Sequence, residues 1–462
     1  MPRSLSVVLI CAASACGCTS LDRAAGVAAG FVSHQLCSAT FVSGLEPETF
    51  YREAIAPTLQ PVEFLTRHRV DRDKREVTAS FAGLGEHRAV YRGQTGCLIV
   101  QVPLPAAEKL DLPQPAPALL PEIAGPQVVE TSEPAIRAAL DKAFSETQGA
   151  PQRATKAIVV VHDGKVIAER YAPAYGVDTP VIGWSATKSV TNALLGILVK
   201  QGKLDMNAPA PIAAWADPRD PRHAITPDNM LRMASGLDIG QSLTASASDA
   251  FDPSAQMVFN ERDMAGFAEK VPLKFAPGSA WNYTNGNTLL LSRIVRDKTG
   301  GDALSVLAFA HRELFDKLGM KKVTLELDST GTPIGSSHML ATPRDWAKFG
   351  LLYLNDGVVG GQRLLPEGWV DYSAKLTPGS EEFGYAAGFW TNRGESGGAR
   401  YRAKAGIPAD AFMARGAYGQ YVVVIPSKRL VVARFGMAFD QRNDLDTVAH
   451  LIAEVIRTLP QT

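Results

Sequence analysis

The chain has 462 residues, 46% of them hydrophobic and 20% charged, with 47 Lys+Arg against 47 Asp+Glu. That length fits two or three domains or one large one with a sizeable core, and the composition excludes extensive disorder. Balanced charge without a basic stripe argues against nucleic-acid binding, and five cysteines are too few for a small disulfide scaffold. The eight histidines show neither H-E-x-x-H nor Cys/His zinc spacing, so no metal or other cofactor is implied.

Residues 1–18 set one cation, Arg3, before the apolar run Leu5–Ala13 and follow it with small residues. This is the layout of a secretory signal peptide, and the run is shorter than the ~20 residues of a membrane span. Ala15-Cys16-Gly17-Cys18 has the form of a bacterial lipobox with Cys18 as the acylated residue; Cys16 is the alternative position. The expectation is export to the periplasm, as a lipid-anchored envelope protein or after simple cleavage. Asp22 and Arg23 argue against an uncleaved anchor running on to Val32. After processing at Cys18, Cys37 and Cys97 remain as unmodified thiols, a natural disulfide pair in an oxidising compartment, with two buried free thiols as the alternative.

Residues 31–103 read as a small N-terminal domain. Phe41–Val42 and Cys97–Val102 are strand-like, Glu48–Ile55 fits a helix, and RHRVDRDKREV is a charged, exposed segment. Residues 104–130 form a Pro-rich linker or wrapping segment. The body, 131–462, opens with a helix over SEPAIRAALDKAFSE, capped by Ser132 with Glu133 in its first turn. AIVVVHDGKVIAERYA is a β-hairpin about Asp163-Gly164. SVTNALLGILVKQGKL is an apolar-periodic helix, and residues 205–345 are a helical block broken by Pro and Gly loops. RDWAKFGLLYL is a helix closed by Asn355-Asp356-Gly357, and AFMARG, QYVVVIP and RLVVARFG are strands. A helix over Leu445–Thr458 ends the chain. β elements near both ends of the body with helices between them specify an α+β sandwich: an antiparallel sheet flanked by helices, with an inserted helical subdomain.

Three motifs carry chemistry. Ser185-Ala-Thr-Lys188 places a serine and a lysine three apart on one helical face, with Gly183-Trp184 setting Ser185 at the helix N-terminus. Lys188 can take the serine proton only if its pKa falls through burial or a nearby cation. The bland alternative is a capped helix with a solvated lysine. In PGSAWNYTNGN, Tyr283 can shuttle a proton beside a lysine and the amide of Asn285 can hold a substrate oxygen. Tyr353-Leu-Asn355 repeats that spacing but ends a periodic helix, which reads as structural. In Ala414-Arg415-Gly416-Ala417-Tyr418-Gly419-Gln420 the glycines let backbone approach a ligand, and the N–H of Ala417 can complete an oxyanion hole with that of Ser185. Arg415, Tyr418, Trp281, Tyr385 and Trp390 are candidates for the pocket wall. Gly394-Glu-Ser396-Gly-Gly398 matches the G-x-S-x-G of α/β-hydrolases, but no apolar helix follows it, so a glycine turn is expected.

In this order the motifs resemble the serine hydrolases of the class C β-lactamase superfamily, which includes penicillin-binding D-alanyl-D-alanine carboxypeptidases, family VIII carboxylesterases and 6-aminohexanoate-dimer hydrolases. The resemblance runs from about 150 to 440. It rests on W-S-A-T-K-S, M-A-S-G-L (233–237), P-G-S-A-W-N-Y-T-N, T-P-R-D-W-A-K-F-G-L-L-Y-L (342–354), L-L-P-E-G-W (364–369) and G-A-Y-G-Q. It implies a five-stranded antiparallel sheet flanked by helices plus an all-helical subdomain. It also implies Ser185 as the acylated nucleophile, Lys188 as base, Tyr283 as acid/base partner, Asn285 as a substrate contact and the N–H groups of Ser185 and Ala417 as oxyanion donors. Ala414 stands where β-lactamases carry a cation, and strand alternation is expected to turn Arg415 to the opposite face. That favours a small-molecule substrate among short-chain esters or small amides, with penicillin-type substrates as the alternative. A non-catalytic envelope protein of the same fold is the reading from another class.

Overall fold

The computed structural model describes residues 4–101, 110, 112–146, 152–242, 247–439 and 441–460. Arg3, Val102, the start of the Pro-rich linker and the side chains of the first nineteen residues, Cys16 and Cys18 among them, lie outside the described part.

The chain begins with one continuous helix, α1 (Ser4–Cys37), extended by a wider turn over Ser38–Val42. Ser20–Val42 is long and apolar enough to cross a membrane, yet most of it is buried inside the protein. Among the described side chains of this helix, the buried ones run from Ala24 onward. Phe41–Val42, expected as a strand, belongs to this helical stretch. Their β propensity yields to tertiary context, because the helix packs along the small sheet that follows.

That sheet is antiparallel in the order β1 (Thr66–Asp71), β2 (Glu76–Phe81), β3 (Leu84–Tyr91) and β4 (Cys97–Ile99). The charged segment RHRVDRDKREV supplies β1, the turn and the start of β2. Its charges occupy the outer face, while Val77, Ala79 and Ala89 turn inward into one cluster with Phe31, Val32 and Leu36 of α1. Cys37 and Cys97 are bonded, with Cα atoms 6.0 Å apart. The unit is seated on the body. Fully buried Glu326 accepts hydrogen bonds from Ser38 Oγ and the Cys97 N–H, both at 2.8 Å, and lies 3.1 Å from His34 Nε2. Farther on, residues of the Pro-rich stretch bond the body directly: the N–H of Leu119 reaches the Lys317 carbonyl (2.8 Å) and that of Val129 the Glu169 carboxylate (2.8 Å).

In the body, α2 (Pro134–Phe144) starts at a proline, so its N-cap is Glu133 without a side-chain cap bond, and Ser132 lies one residue outside. β5 (Thr155–His162) and β6 (Lys165–Tyr171) are joined by Asp163-Gly164 with φ of 47° and 77°, the left-handed pair that a two-residue hairpin turn needs. Then come α3 (Thr187–Lys200), α4 (Asn285–Thr299) and α5 (Pro343–Leu354). The chain closes with β7 (Trp390–Thr391), β8 (Phe412–Gly416), β9 (Gln420–Ile425), β10 (Leu430–Gly436) and α6 (Gln441–Thr458).

The main sheet runs β7-β8-β9-β10-β5-β6, all antiparallel. Five strands are the expected ones; the sixth, β7, is a two-residue edge. Both faces are covered. On β9, Val422 and Val424 face the core beneath α5, and Tyr421, Val423 and Ile425 face α2 and α6. Strands buried on both sides read as unbroken apolar runs, which is how QYVVVIP and RLVVARFG stand in the sequence. The inserted block is not purely helical: Met339–Ala341 pairs on one side with Val323–Leu325 and on the other with Val181–Ile182, a small sheet where the block rejoins the body. Runs of two or three residues carry no period, so sequence patterning misses them.

Candidate active site

Ser185 sits in a single 3₁₀ turn, Trp184–Ala186, that leads into α3, where N–H groups have no intrahelical partner. The turn is built by close approach. A Cβ on Gly183 would overlap the Trp346 ring. Trp184 holds φ at 47° and Tyr418, across the site, holds 61°. Such backbone costs on the order of 1–3 kcal/mol per residue and persists only where packing enforces it. Here the two rings lie edge to face at 5.3 Å, Phe31 stacks on Trp184 at 6.2 Å, and Thr58 Oγ1 donates to the Tyr418 hydroxyl at 3.2 Å.

Lys188 lies one helical turn beyond Ser185 and is 1% exposed. Its Nζ is 3.1 Å from Ser185 Oγ, 2.7 Å from Asn285 Oδ1 and 2.8 Å from the Ser336 carbonyl oxygen, and no carboxylate is among these partners. Burial without a counter-charge brings its pKa down to about 7. A neutral amine has two N–H donors, which Asn285 and Ser336 accept, and one lone pair, which faces the Ser185 hydroxyl.

Tyr283, just ahead of α4, is buried in an aromatic cluster with Tyr385 at 5.3 Å and Trp390 at 5.5 Å, and its ring centroid is 5.0 Å from Lys188 Nζ. Burial pushes its pKa up to about 12, against the opposing pull of a hydrogen bond with Ser185 and the charge of Arg415. Asn285 is the first residue of α4, and since its carbonyl oxygen is engaged by Lys188, its NH₂ is what remains for a substrate oxygen.

The third motif differs from expectation. Ala414, 1% exposed, packs into the core on the α5 side, while Arg415 shares the other face with Tyr283. Its guanidinium carbon lies 5.5 Å from the ring centroids of both Trp390 and Tyr421. Alternation does separate Arg415 from Ala414: Ala414 meets the α5 side, while Arg415 packs over Trp390 and Tyr421 on the face that also carries Tyr283. Gly416 works by contact between backbones: a Cβ there would overlap the Gly183 carbonyl oxygen. Only glycine lets β8 lie against the turn that carries Ser185, and Ala417, the next residue, borders the same cavity as Ser185. Gln420 Nε2 donates to the carbonyls of Ala417 (2.7 Å) and Gly436 (2.8 Å), bracing the loop.

Sequence reasoning missed Ser336, Gln420 and His338. His338 is fully buried and borders the same cavity as Ser185; burial, with the nearby charges of His34 and Lys188, holds its pKa well below the usual value. Nothing in the string GSSH marks Ser336 or His338, and Gln420 ended the third motif without an assigned role. The two decoys have structural partners: Tyr353 donates to Asn192 Oδ1 at 2.6 Å in the core, and Ser396, expected in a glycine turn, instead caps a polar helix over Gly397–Lys404, its Oγ accepting from the Ala399 N–H at 2.9 Å. Trp281, Tyr385 and Trp390 back Tyr283 and, like Arg415, are not among the residues lining the cavity at Ser185.

That cavity has a volume of about 490 Å³ and is bordered by Ser185, Asn285, Ala417 and Tyr418. Its lining includes one carboxylate, Asp249, and no lysine or arginine among the described residues.

A family model for Beta-lactamase matches residues 140–455. The 6-aminohexanoate-dimer hydrolase of Paenarthrobacter ureafaciens is 26% identical over 275 residues, which span 54% of this chain and 65% of that protein. Among solved structures, a penicillin-binding protein homologue from Caulobacter crescentus superposes with a TM-score of 0.54 at 17% identity, covering 72% of this chain and 100% of that one. A family VIII carboxylesterase gives 0.53 at 15% identity, with 72% and 100% covered. At such identities these two structures speak for the fold.

Proposed function

The chain belongs to the Beta-lactamase family, a family of hydrolases, and from that premise we propose that it cleaves esters or amides through an acyl-enzyme on Ser185. One observation carries the proposal: a buried lysine without a carboxylate partner, its Nζ 3.1 Å from the serine oxygen. Neutral Lys188 takes the Ser185 proton as Oγ attacks the substrate carbonyl carbon. The N–H groups of Ser185 and Ala417 receive the charge that develops on the carbonyl oxygen. As the tetrahedral species collapses, the bond to the leaving group breaks, and that group leaves with a proton delivered through Tyr283 from Lys188. With a pKa near 12, Tyr283 is protonated at neutral pH and suits the donor side of this relay. Water then attacks the ester on Ser185 by the same steps reversed, releasing the acid.

The absence of Lys and Arg from the described lining favours substrates without a carboxylate beside the reacting bond, and so disfavours penicillins. The name of the Paenarthrobacter relative supports including amides. The apolar N-terminal run together with the bonded pair Cys37–Cys97 supports export to an oxidising compartment, with Cys18 as the lipid attachment point. Cleavage there would leave the buried part of α1, from Ala24 on, in the mature chain.

A fluorophosphonate probe followed by peptide mapping tests the mechanism. Label on Ser185, lost in Ser185→Ala, is the expected result; label on Ser396 or on no serine overturns it.

A further inference from the structure

The cavity at Ser185 is only half built by the region matched to the family. Its other wall comes from residues ahead of the match: Ala24, Ala25, Ala28 and Phe31 of α1, with Leu59 and Leu84 beyond. Facing them across the space are Phe251, Ala255, Val258 and Phe259. The alanines matter because they are small. Three of them on one helix leave room where leucines would close the gap, although the same helix is close-packed elsewhere through Val32 and Leu36, both 0% exposed. At the rim, Leu21, Leu84 and Phe251 are 59%, 49% and 57% exposed, unusual values for large apolar side chains grouped around one opening. A volume of about 490 Å³ lies within the range of roughly 300–1,000 Å³ typical of pockets that enclose a whole small molecule. An acetyl group would leave most of it empty.

We propose that the N-terminal unit forms a binding site for a long apolar arm of the substrate, so that the enzyme selects esters or amides of amphiphiles with a chain or ring system of about eight or more carbons. The inference rests on the acyl-enzyme reading of Ser185. It departs from the expectation of short-chain substrates, which followed from the missing cation at Ala414 and contained no measure of space. Each buried CH₂ strengthens binding by roughly fourfold at most, so a homologous series should climb steadily until the cavity is filled.

Two ester series test this with the full-length chain: p-nitrophenyl esters from acetate to dodecanoate, and acetate esters of alcohols of the same lengths. The expected result is a rise in kcat/KM of roughly tenfold or more from two to eight carbons in one of the series. Ala28→Trp on the N-terminal wall and, independently, Ala255→Phe on the opposite wall should lower the eight-carbon to two-carbon ratio of kcat/KM by about tenfold. The ratio is internal to each variant and is therefore insensitive to how much of it folds. Turnover of the acetate with flat or falling values in both series overturns the inference while leaving Ser185 as nucleophile. A rise that neither substitution blunts overturns the assignment to this cavity. Absence of both turnover and fluorophosphonate labelling overturns the reading of Ser185 itself.

Discussion

Ser185 stands between two regions with opposite physical character. On the body side, Lys188 is held to Asn285 at 2.7 Å and to the Ser336 carbonyl at 2.8 Å, with Ser185 Oγ at 3.1 Å, all within packed structure. On the N-terminal side, α1 and the small sheet present methyl and phenyl surface to open space of about 490 Å³. The first region must be rigid, because proton transfer and oxyanion binding tolerate errors of only a few tenths of an ångström. The second needs only shape and apolarity, which small side chains on a helix supply. Under the proposed reading, the reacting groups all come from inside the family match, whereas the apolar cavity beside them is built jointly by residues inside it and residues before it.

The sharpest way to break that comparison is Ser185→Ala. Turnover should drop by roughly 10⁴-fold or more on every substrate, with the thermal midpoint little changed. More than a few per cent of residual activity would remove the body side from the chemistry altogether. Next in size is Cys97→Ser, which opens a loop with a sequence separation of 60. The chain-entropy model puts the loss at about 4 kcal/mol, and denaturant unfolding should register it in the N-terminal unit. If the two regions divide the work as described, surviving protein should lose long-chain esterase activity before acetate turnover.

Gly416→Val tests the rigid side by geometry. The new side chain would force β8 away from Gly183 and carry the Ala417 N–H with it, so kcat should fall by roughly 10²-fold with KM less affected. An unchanged kcat would mean that Ala417 is no oxyanion donor. A smaller effect comes from pH. Lys188 is the base only when neutral, and with a pKa of about 7 its neutral fraction falls about tenfold for each unit of pH below that. The profile of kcat/KM should therefore rise with pH and level off above about 7; a flat profile between pH 5 and 8 would point to another base. The mildest change is Tyr418→Phe, which deletes the hydrogen bond from Thr58 between the two regions. A loss of about 0.5–1.5 kcal/mol in stability is expected, measured by the urea midpoint.

Much was legible without coordinates because it depends on local pattern. Helical spacing set Ser185 and Lys188 on one face, Asp163-Gly164 marked the hairpin, and uninterrupted apolar runs marked β9 and β10 as buried strands. Other features were out of reach for equally physical reasons. The wide turn over Ser38–Val42 and the two-residue strand Val181–Ile182 owe their conformation to partners distant in sequence. The helical block hid two short strands for the same reason. Ala414 was read as the pocket face because a strand's pattern reveals that its two sides differ, not which side meets the tyrosine.

The amino-acid sequence by itself determined the fold and singled out Ser185 and Lys188 as the candidate pair, since these rest on residues a few positions apart and on periods of two and 3.6. Only the tertiary structure decided what surrounds them. Lys188 has the lowered pKa that the proposed base role requires because residues nearly a hundred and more positions away bury it and accept its hydrogen bonds without offering it a negative charge. The empty space beside Ser185 exists because an apolar helix that reads as an export signal and its continuation folds back over the site. Volume and desolvation are properties of what is brought together in space, and no single stretch of sequence contains them.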